Sequence, residues 1–280
     1  MTDDVRAFVV SIPSANREEV ELASDQLWQL GVRAIEERTE VEGVELWTTV
    51  GDREDAIHRA VTSIADRWPW RVVDINVEPV DTWREFAKPV WATPDLVVVP
   101  AWQSHSFDGD PLVLRIEPGA AFGLGDHPTT ELSLRALASL LRAVTEQPPA
   151  VLDVGCGTGI LAVAAARLGA YPVRAVDVAS SAVETTADNA ARNGVAGQIV
   201  VDTRPAADLG GMYDIVVANI LAPVLVRLAD DLRRLTVRGG HLIISGILED
   251  SYAHVLDALA PMSVVRREVL DGWIAVTLRH

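Results

Sequence analysis

The sequence predicts an α/β chain in two parts: a doubly wound parallel sheet over residues 112–280, preceded by a smaller α+β domain over residues 1–79. Three observations lead there. Seven of the eight tryptophans (Trp28, Trp47, Trp68, Trp70, Trp83, Trp91 and Trp102) precede Gln103, whereas the glycine-rich signatures all follow residue 118. From about Leu112, short β-rich apolar runs alternate with helical periodicity, the pattern of parallel strands joined by crossover helices. Finally, Val151–Val154 runs directly into Gly155-Cys-Gly-Thr-Gly159, and an alanine-rich segment follows. That is a strand, a tight turn and the start of a helix.

In the first part, Val5–Ile12 has strand character. Asn16 can cap a helix, with Glu19 three residues on as the partner of a capping box, and Val20, Leu22, Leu27 and Leu30 form its apolar face. Gly31 ends it. Strands are expected at Val32–Arg38 and Val44–Val50, a second helix over Asp52–Trp68 and a closing strand at Arg71–Val77. This β-α-β-β-α-β order is the ferredoxin-like arrangement, which carries no intrinsic chemistry and is suited to binding or positioning a partner. Residues 80–111 hold Pro89, Pro94, Pro100 and Pro111 with one short apolar run, Leu96–Val99, and read as a linker.

In the second part, a helix over Pro128–Val144 is followed by a strand at Val151–Val154, a helix at Gly159–Leu168 and a strand at Val173–Asp177. A helix at Ser181–Asn193, strands at Gln198–Val201 and Tyr213–Ala218, a helix at Leu221–Leu235 and a strand at His241–Ser245 complete the set. Sheets of this kind bind ligands at the carboxyl ends of their strands.

Composition narrows the function. With 49% hydrophobic and 23% charged residues, the chain is ordinary globular material. Cys156 is the sole cysteine, so no internal disulfide forms, and a reducing cytoplasm is expected. One thiol and six scattered histidines give no zinc spacing, so no metal is expected. The start, with Asp3 and Asp4 before a short apolar run, reads as neither a secretory signal nor a transit peptide. The apolar stretch Ile215–Val226 falls short of the roughly 20 residues a bilayer span needs. A formal charge of −16 repels phosphate backbones and would attract basic proteins, but many enzymes with no such partner are equally acidic, so charge alone assigns no partner.

Four motifs carry chemistry. The Val151–Gly159 loop lets backbone approach a ligand closely, and the helix start behind it offers N–H groups. A dinucleotide fingerprint needs Gly-x-Gly-x-x-Gly. Here the third glycine comes one place early, at Gly159, and Ile160 holds the fingerprint position. A Gly-x-Gly-x-Gly loop preceded by an acid, Asp153, is instead typical of S-adenosylmethionine (AdoMet)-dependent methyltransferases. Asp177 ends the next strand, where a carboxylate accepts from both ribose hydroxyls of a nucleoside. Ser180 and Ser181 are available to cap the next helix, which leaves Asp177 for the ligand. The third motif is Asp214–Ala222, in which Asn219 ends a strand at the same rim. Its amide suits either the methyl acceptor or the amino-acid portion of AdoMet. It is followed by Ile-Leu-Ala with no aromatic, which argues against a flipped base and leaves room for an aliphatic amine. The fourth motif, Ala121–Thr130, places Phe122 and His127 beside two glycines, with Thr129 or Thr130 as helix cap. His127 reads as structural ahead of a general base, and Cys156 has no paired histidine to make it a nucleophile.

Together these motifs resemble one family, the bacterial methyltransferases of large-subunit ribosomal protein eleven (PrmA). The resemblance rests on Phe122-Gly-x-Gly-x-His-Pro-Thr-Thr130, Asp153–Leu161, Asn189-Ala-x-x-Asn-Gly194, Ala218–Ala222 and Gly239–Leu248. It implies a Rossmann-like, class I AdoMet methyltransferase domain behind an N-terminal ferredoxin-like recognition domain. It also implies S-adenosyl-L-methionine as cofactor, and lysine side chains and amino termini of ribosomal protein eleven as acceptors. Thr130, Gly155, Asp177 and Asn219 would be cofactor contacts, with Asp153 and Gly157 in the same loop system, and Asn219 would position the acceptor amine. The chain departs from the pattern at Leu124, Asp126 and Ala179, at the edges of the cofactor site. Other acceptors, a lysine of another protein or a small molecule, fit the cofactor motifs equally. An NAD-dependent dehydrogenase fits them less well, because of Ile160.

Overall fold

In a computed structural model of the chain, the described residues are 5–13, 17–30, 32, 35–40, 43–48, 58, 61, 62, 64–75, 87–118, 127–144, 147–250 and 252–280. They form two compact units, the first ending at Ala87 and the second beginning at Lys88.

The first unit contains β1 (Val5–Ile12), α1 (Arg17–Gln29), β2 (Ile35–Glu40), β3 (Gly43–Thr48) and β4 (Trp70–Ile75). Its sheet has the order β2-β3-β1-β4 with every neighbour antiparallel, as the split βαβ pattern requires. Strand alternation turns Val44, Leu46 and Thr48 of β3 inward. Val20, Ala23 and Leu27 of α1 join them at helical spacing, packing with Phe8, Val10 and Ile12. Asn16 and much of the second expected helix lie outside the described residues. Of that helix, residues 58, 61, 62 and 64 are helical, and Ile64 and Trp68 complete the core. Glu19 reaches across the unit. Its carboxylate accepts from Arg67 at 2.8 Å and from Trp68 Nε1 at 2.9 Å, tying α1 to the segment before β4.

The second unit begins earlier than the sequence suggests. β5 (Val90–Thr93), β6 (Leu96–Pro100) and β7 (Leu112–Ile116) form a three-stranded sheet. Leu96, Val98, Leu114 and Ile116 sit in the same core as the helices of the larger sheet. The linker expected over 80–111 is therefore corrected from residue 88 onward. Leu96–Val99 was long and apolar enough for a strand buried on both faces, and the surrounding prolines disguised it.

The larger sheet follows α2 (Pro128–Ala143). It comprises β8 (Val151–Val154), β9 (Val173–Val176), β10 (Ile199–Asp202), β11 (Tyr213–Asn219), β12 (Thr236–Leu248), β13 (Ser263–Leu270) and β14 (Trp273–Arg279). The order is β10-β9-β8-β11-β12-β14-β13, with β14 antiparallel to both its neighbours. The helices are α3 (Ile160–Arg167), α4 (Ser180–Arg192), α5 (Ala222–Leu235) and the short α6 (Ala253–Ala258). Alternate strand residues feed two separate cores. Val151, Ile215, Val217 and Ile243 pack with α2 and α3, whereas Leu152, Val216, Ala218, Leu242 and Ile244 pack with α5 and α6. Period-2 burial on both faces is the mark of a sheet covered on each side. Among the described residues no helix is long and apolar enough to cross a membrane.

The Asn189-Ala-x-x-Asn193 motif has a structural explanation. Both asparagines lie on one face of α4 and at its end, four residues apart, and both are buried. Asn193 Oδ1 accepts from Arg115 N (2.9 Å) and its Nδ2 donates to Arg115 O (2.7 Å). Asn189 repeats this with Glu117 N (2.9 Å) and Glu117 O (2.8 Å), and its Nδ2 also donates to Thr158 O (2.9 Å). Two side-chain amides thus stand in for a strand partner at the end of β7 and tie it to the glycine loop. Replacing Asn189 with alanine removes the partner of three backbone groups, Thr158 O buried and the Glu117 N and O partly buried. The expected loss is about 3 kcal/mol in urea-unfolding stability, with Asn189→Asp no better because it turns a donor into an acceptor facing two carbonyls.

Candidate active site

The carboxyl ends of β8, β9, β11 and β12 form one rim. At its centre, Gly155, Gly157 and Gly159 have φ of 76°, 54° and 76°, the left-handed region that side chains disfavour. Space excludes a side chain as well. A Cβ on Gly155 would lie 2.3 Å from Ile220 Cγ2, and one on Gly159 would lie 2.6 Å from Thr186 Cγ2.

The loop is held at nearly every residue. Gly155 N and Cys156 N donate to Val176 O at 2.8 and 3.1 Å. Gly157 N donates to Asp177 Oδ2 at 3.0 Å, and Gly157 O accepts from Thr186 Oγ1 at 3.2 Å. Beneath it, Asp153 is fully buried, and its Oδ2 accepts from Ala162 N in the first turn of α3 at 3.1 Å. Thr186 carried no local signal in the sequence, because its role depends on α4 packing across the loop.

Asp177 is not left free by capping serines. The residue at the start of α4 is Ala179, with no side-chain cap, and Asp177 Oδ1 itself accepts from Ala179 N at 3.0 Å. Asp177 therefore orders both the glycine loop and the start of α4. A carboxylate has about four acceptor positions, so it retains capacity toward the rim. Val178 beside it is 73% exposed, an apolar surface at the same rim.

On the other side of Gly155, Asn219 ends β11, and its Nδ2 lies 3.5 Å from Oγ1 of the buried Thr130 in the first turn of α2. The turn after Asn219 is wedged. Ile220 N donates to Ser245 O at 3.1 Å, and a Cβ on Gly246 (φ 83°) would lie 2.5 Å from Ile220 O. All six residues singled out from the sequence (Thr130, Asp153, Gly155, Gly157, Asp177 and Asn219) are in the second unit. Phe122, Leu124 and Asp126 lie outside the described residues. His127 is the N-cap of α2. Cys156 is buried, with Sγ 3.3 Å from Thr186 Oγ1, and burial pushes its thiol well above the usual value, so it is no nucleophile.

The site fits AdoMet on its own geometry. It offers a turn of left-handed glycines that carries no side chain between its backbone and a ligand, and an acid with spare acceptor capacity one strand over. Among the described residues no group of His, Cys, Asp and Glu could hold a metal ion.

Residues 18–280 match the family described as ribosomal protein L11 methyltransferase (PrmA). The chain belongs to that family. Among curated relatives, the ribosomal protein L11 methyltransferase of an Exiguobacterium species is 37% identical over 212 residues, covering 72% of this chain and 67% of the relative. That of Citrifermentans bemidjiense is 41% identical over 207 residues, covering 73% and 67%. The aligned segments thus span about two thirds of those relatives' length. The crystal structure of a ribosomal protein L11 methylase from Lactobacillus delbrueckii subsp. bulgaricus superposes with a TM-score of 0.63 at 32% identity, covering 69% of this chain and all of that one. Family and fold together make this chain an AdoMet-dependent protein methyltransferase of Rossmann-like architecture.

Two outcomes follow for the site. Burial raises the Asp153 carboxyl from 3.8 to about 7, offset in part by the Ala162 N–H and reinforced by the Asp177 charge. The folded state then binds this proton more tightly than the unfolded chain, so Asp153 contributes stability below pH 4 that is lost as pH rises to about 7. Asp153→Asn should flatten that decline, which approaches roughly 1.4 kcal/mol per pH unit for one proton, in denaturant melts between pH 4 and 7. Separately, Gly246→Ala should drive the Ile220 backbone away and misplace Asn219. The expected loss is up to about 100-fold in kcat for methyl transfer, with AdoMet affinity by calorimetry changed far less.

Proposed function

We propose that this protein transfers methyl groups from S-adenosyl-L-methionine to lysine side chains and amino termini of ribosomal protein L11 in the cytoplasm, touching neither nucleic acid nor membrane. The observation that carries this is the placing of Asn219 and Thr130 beside a glycine loop ordered by Asp177, in a chain of the L11 methyltransferase family.

AdoMet, when bound, supplies a methyl group on an electrophilic sulfonium. Gly155 and Gly157 allow close backbone approach, Asp177 accepts from ribose hydroxyls with its remaining lone pairs, and Val178 offers apolar surface to the purine. Asn219, its amide oriented by Thr130, accepts an N–H of the incoming amine and aims the nitrogen lone pair. A free lysine is protonated at neutral pH, with a reference pKa of about 10.4, so the ammonium loses a proton before attack. Desolvation at the half-buried rim favours the neutral amine, and the proton leaves to solvent. Alignment then supplies most of the rate gain. The first unit, with its ferredoxin-like strand order, is suited to choosing the protein partner.

Mass spectrometry of L11 after incubation with enzyme and AdoMet tests the reading. Added methyl mass on lysines or the amino terminus supports it, and Asp177→Ala should weaken AdoMet binding by roughly 10- to 100-fold. Methyl label entering only small molecules from a lysate would move the acceptor away from L11.

A further inference from the structure

Thr130 and Asn219 meet although they lie on elements far apart in sequence. At the start of α2, His127 Nδ1 accepts from Thr129 N at 3.3 Å and lies 2.7 Å from Thr129 Oγ1. That bond needs an unprotonated Nδ1, so the neutral ring carries its proton on Nε2. The same ring packs edge-to-face on Trp273, with centroids 4.9 Å apart and planes at 68°. Trp273 is 5% exposed and opens β14, opposite Leu248 of β12. β12 in turn carries Ser245 and Gly246, the residues that abut Ile220 next to Asn219.

We propose that His127 and Trp273 act as a coupled pair of positioning residues that set the separation of Thr130 from Asn219, and with it the aim of the acceptor amide. One ring closes the loop of contacts. Through Nδ1 it fixes the first turn of α2, and through its face and edge it pins that turn to the strands behind the Asn219 turn. Aromatic pairs of this geometry are directional, so they resist sliding in a way that aliphatic packing does not. His127 transfers no proton in this scheme.

The inference rests on the methyl-acceptor role of Asn219, and wild-type activity on L11 tests that role separately. His127→Asn retains an N-cap acceptor but loses the ring, and Trp273→Phe retains an aromatic face. The expected results are a fall in kcat of about 10-fold or more for His127→Asn, with AdoMet affinity by calorimetry falling far less than kcat and the shape of the pH–rate profile unchanged. Trp273→Phe should recover most of the activity that Trp273→Leu loses. The double variant His127→Asn/Trp273→Leu should be no slower than the worse single variant, the mark of coupling. A crystal structure of His127→Asn without ligand should show Thr130 displaced from Asn219. Wild-type kcat in His127→Asn with an unmoved Thr130, or independent losses that multiply in the double variant, would overturn the pairing. Disappearance of a limb of the pH–rate profile would replace it with an acid–base role for His127.

Discussion

The absence of room at Gly155 is the constraint on which the rest of the rim depends. Because Ile220 fills the volume a side chain would occupy, the end of β8 and the end of β11 meet at a fixed distance. Parallel pairing of Asp153 with Val217 sets that meeting in register. Ile220 is itself held from behind by Gly246 and Ser245 of β12. Three adjacent strands are thereby locked at the edge where a sheet of this type presents its ligand site.

A second layer of polar contacts makes the loop rigid before any ligand arrives. Asp153, Asp177, Thr186 and Asn189 each hold a backbone group of the loop or of the helix it opens. These four side chains come from a strand, a strand end and one helix, and they replace the regular ladder that a turn lacks. Such preorganisation suits a reaction in which the protein's main contribution is alignment. The burial of Asp153 beneath the loop has a cost in stability near neutral pH. The nearby charge of Asp177 adds to it, which links the two acids of the site electrostatically.

Much of this was legible in the sequence, and the gaps have identifiable causes. Strands with strong β-character and two covered faces, such as Val151–Val154 and Tyr213–Asn219, coincide with expectation within a residue. Glycine spacing found the loop, and the early third glycine separated it from a dinucleotide site. Leu96–Pro100 is hard to read from sequence because prolines flank a short run whose burial depends on helices distant in the chain. β13 is obscured because Val264–Glu268 is an edge segment with mixed apolar and charged residues and an irregular register, which blurs the alternation; β14, buried from Trp273 to Leu278, has no such disguise. The roles of Thr186, Ile220 and Trp273 arise only when distant elements pack, so no local pattern announces them. Asp177 shows the opposite error. Its spacing puts it against the glycine loop, where it holds Gly157 N, but no serine caps α4 and the same acid accepts from Ala179 N at the helix start.

A crystal structure with S-adenosylhomocysteine, the demethylated product of the cofactor, bears most directly on the whole account. The expected result is ligand density along the Gly155–Gly159 loop, with ribose hydroxyls on Asp177 and the sulfur end directed toward the Thr130–Asn219 pair. Density elsewhere, or a ligand whose ribose avoids Asp177 and whose sulfur faces away from Asn219, would contradict it.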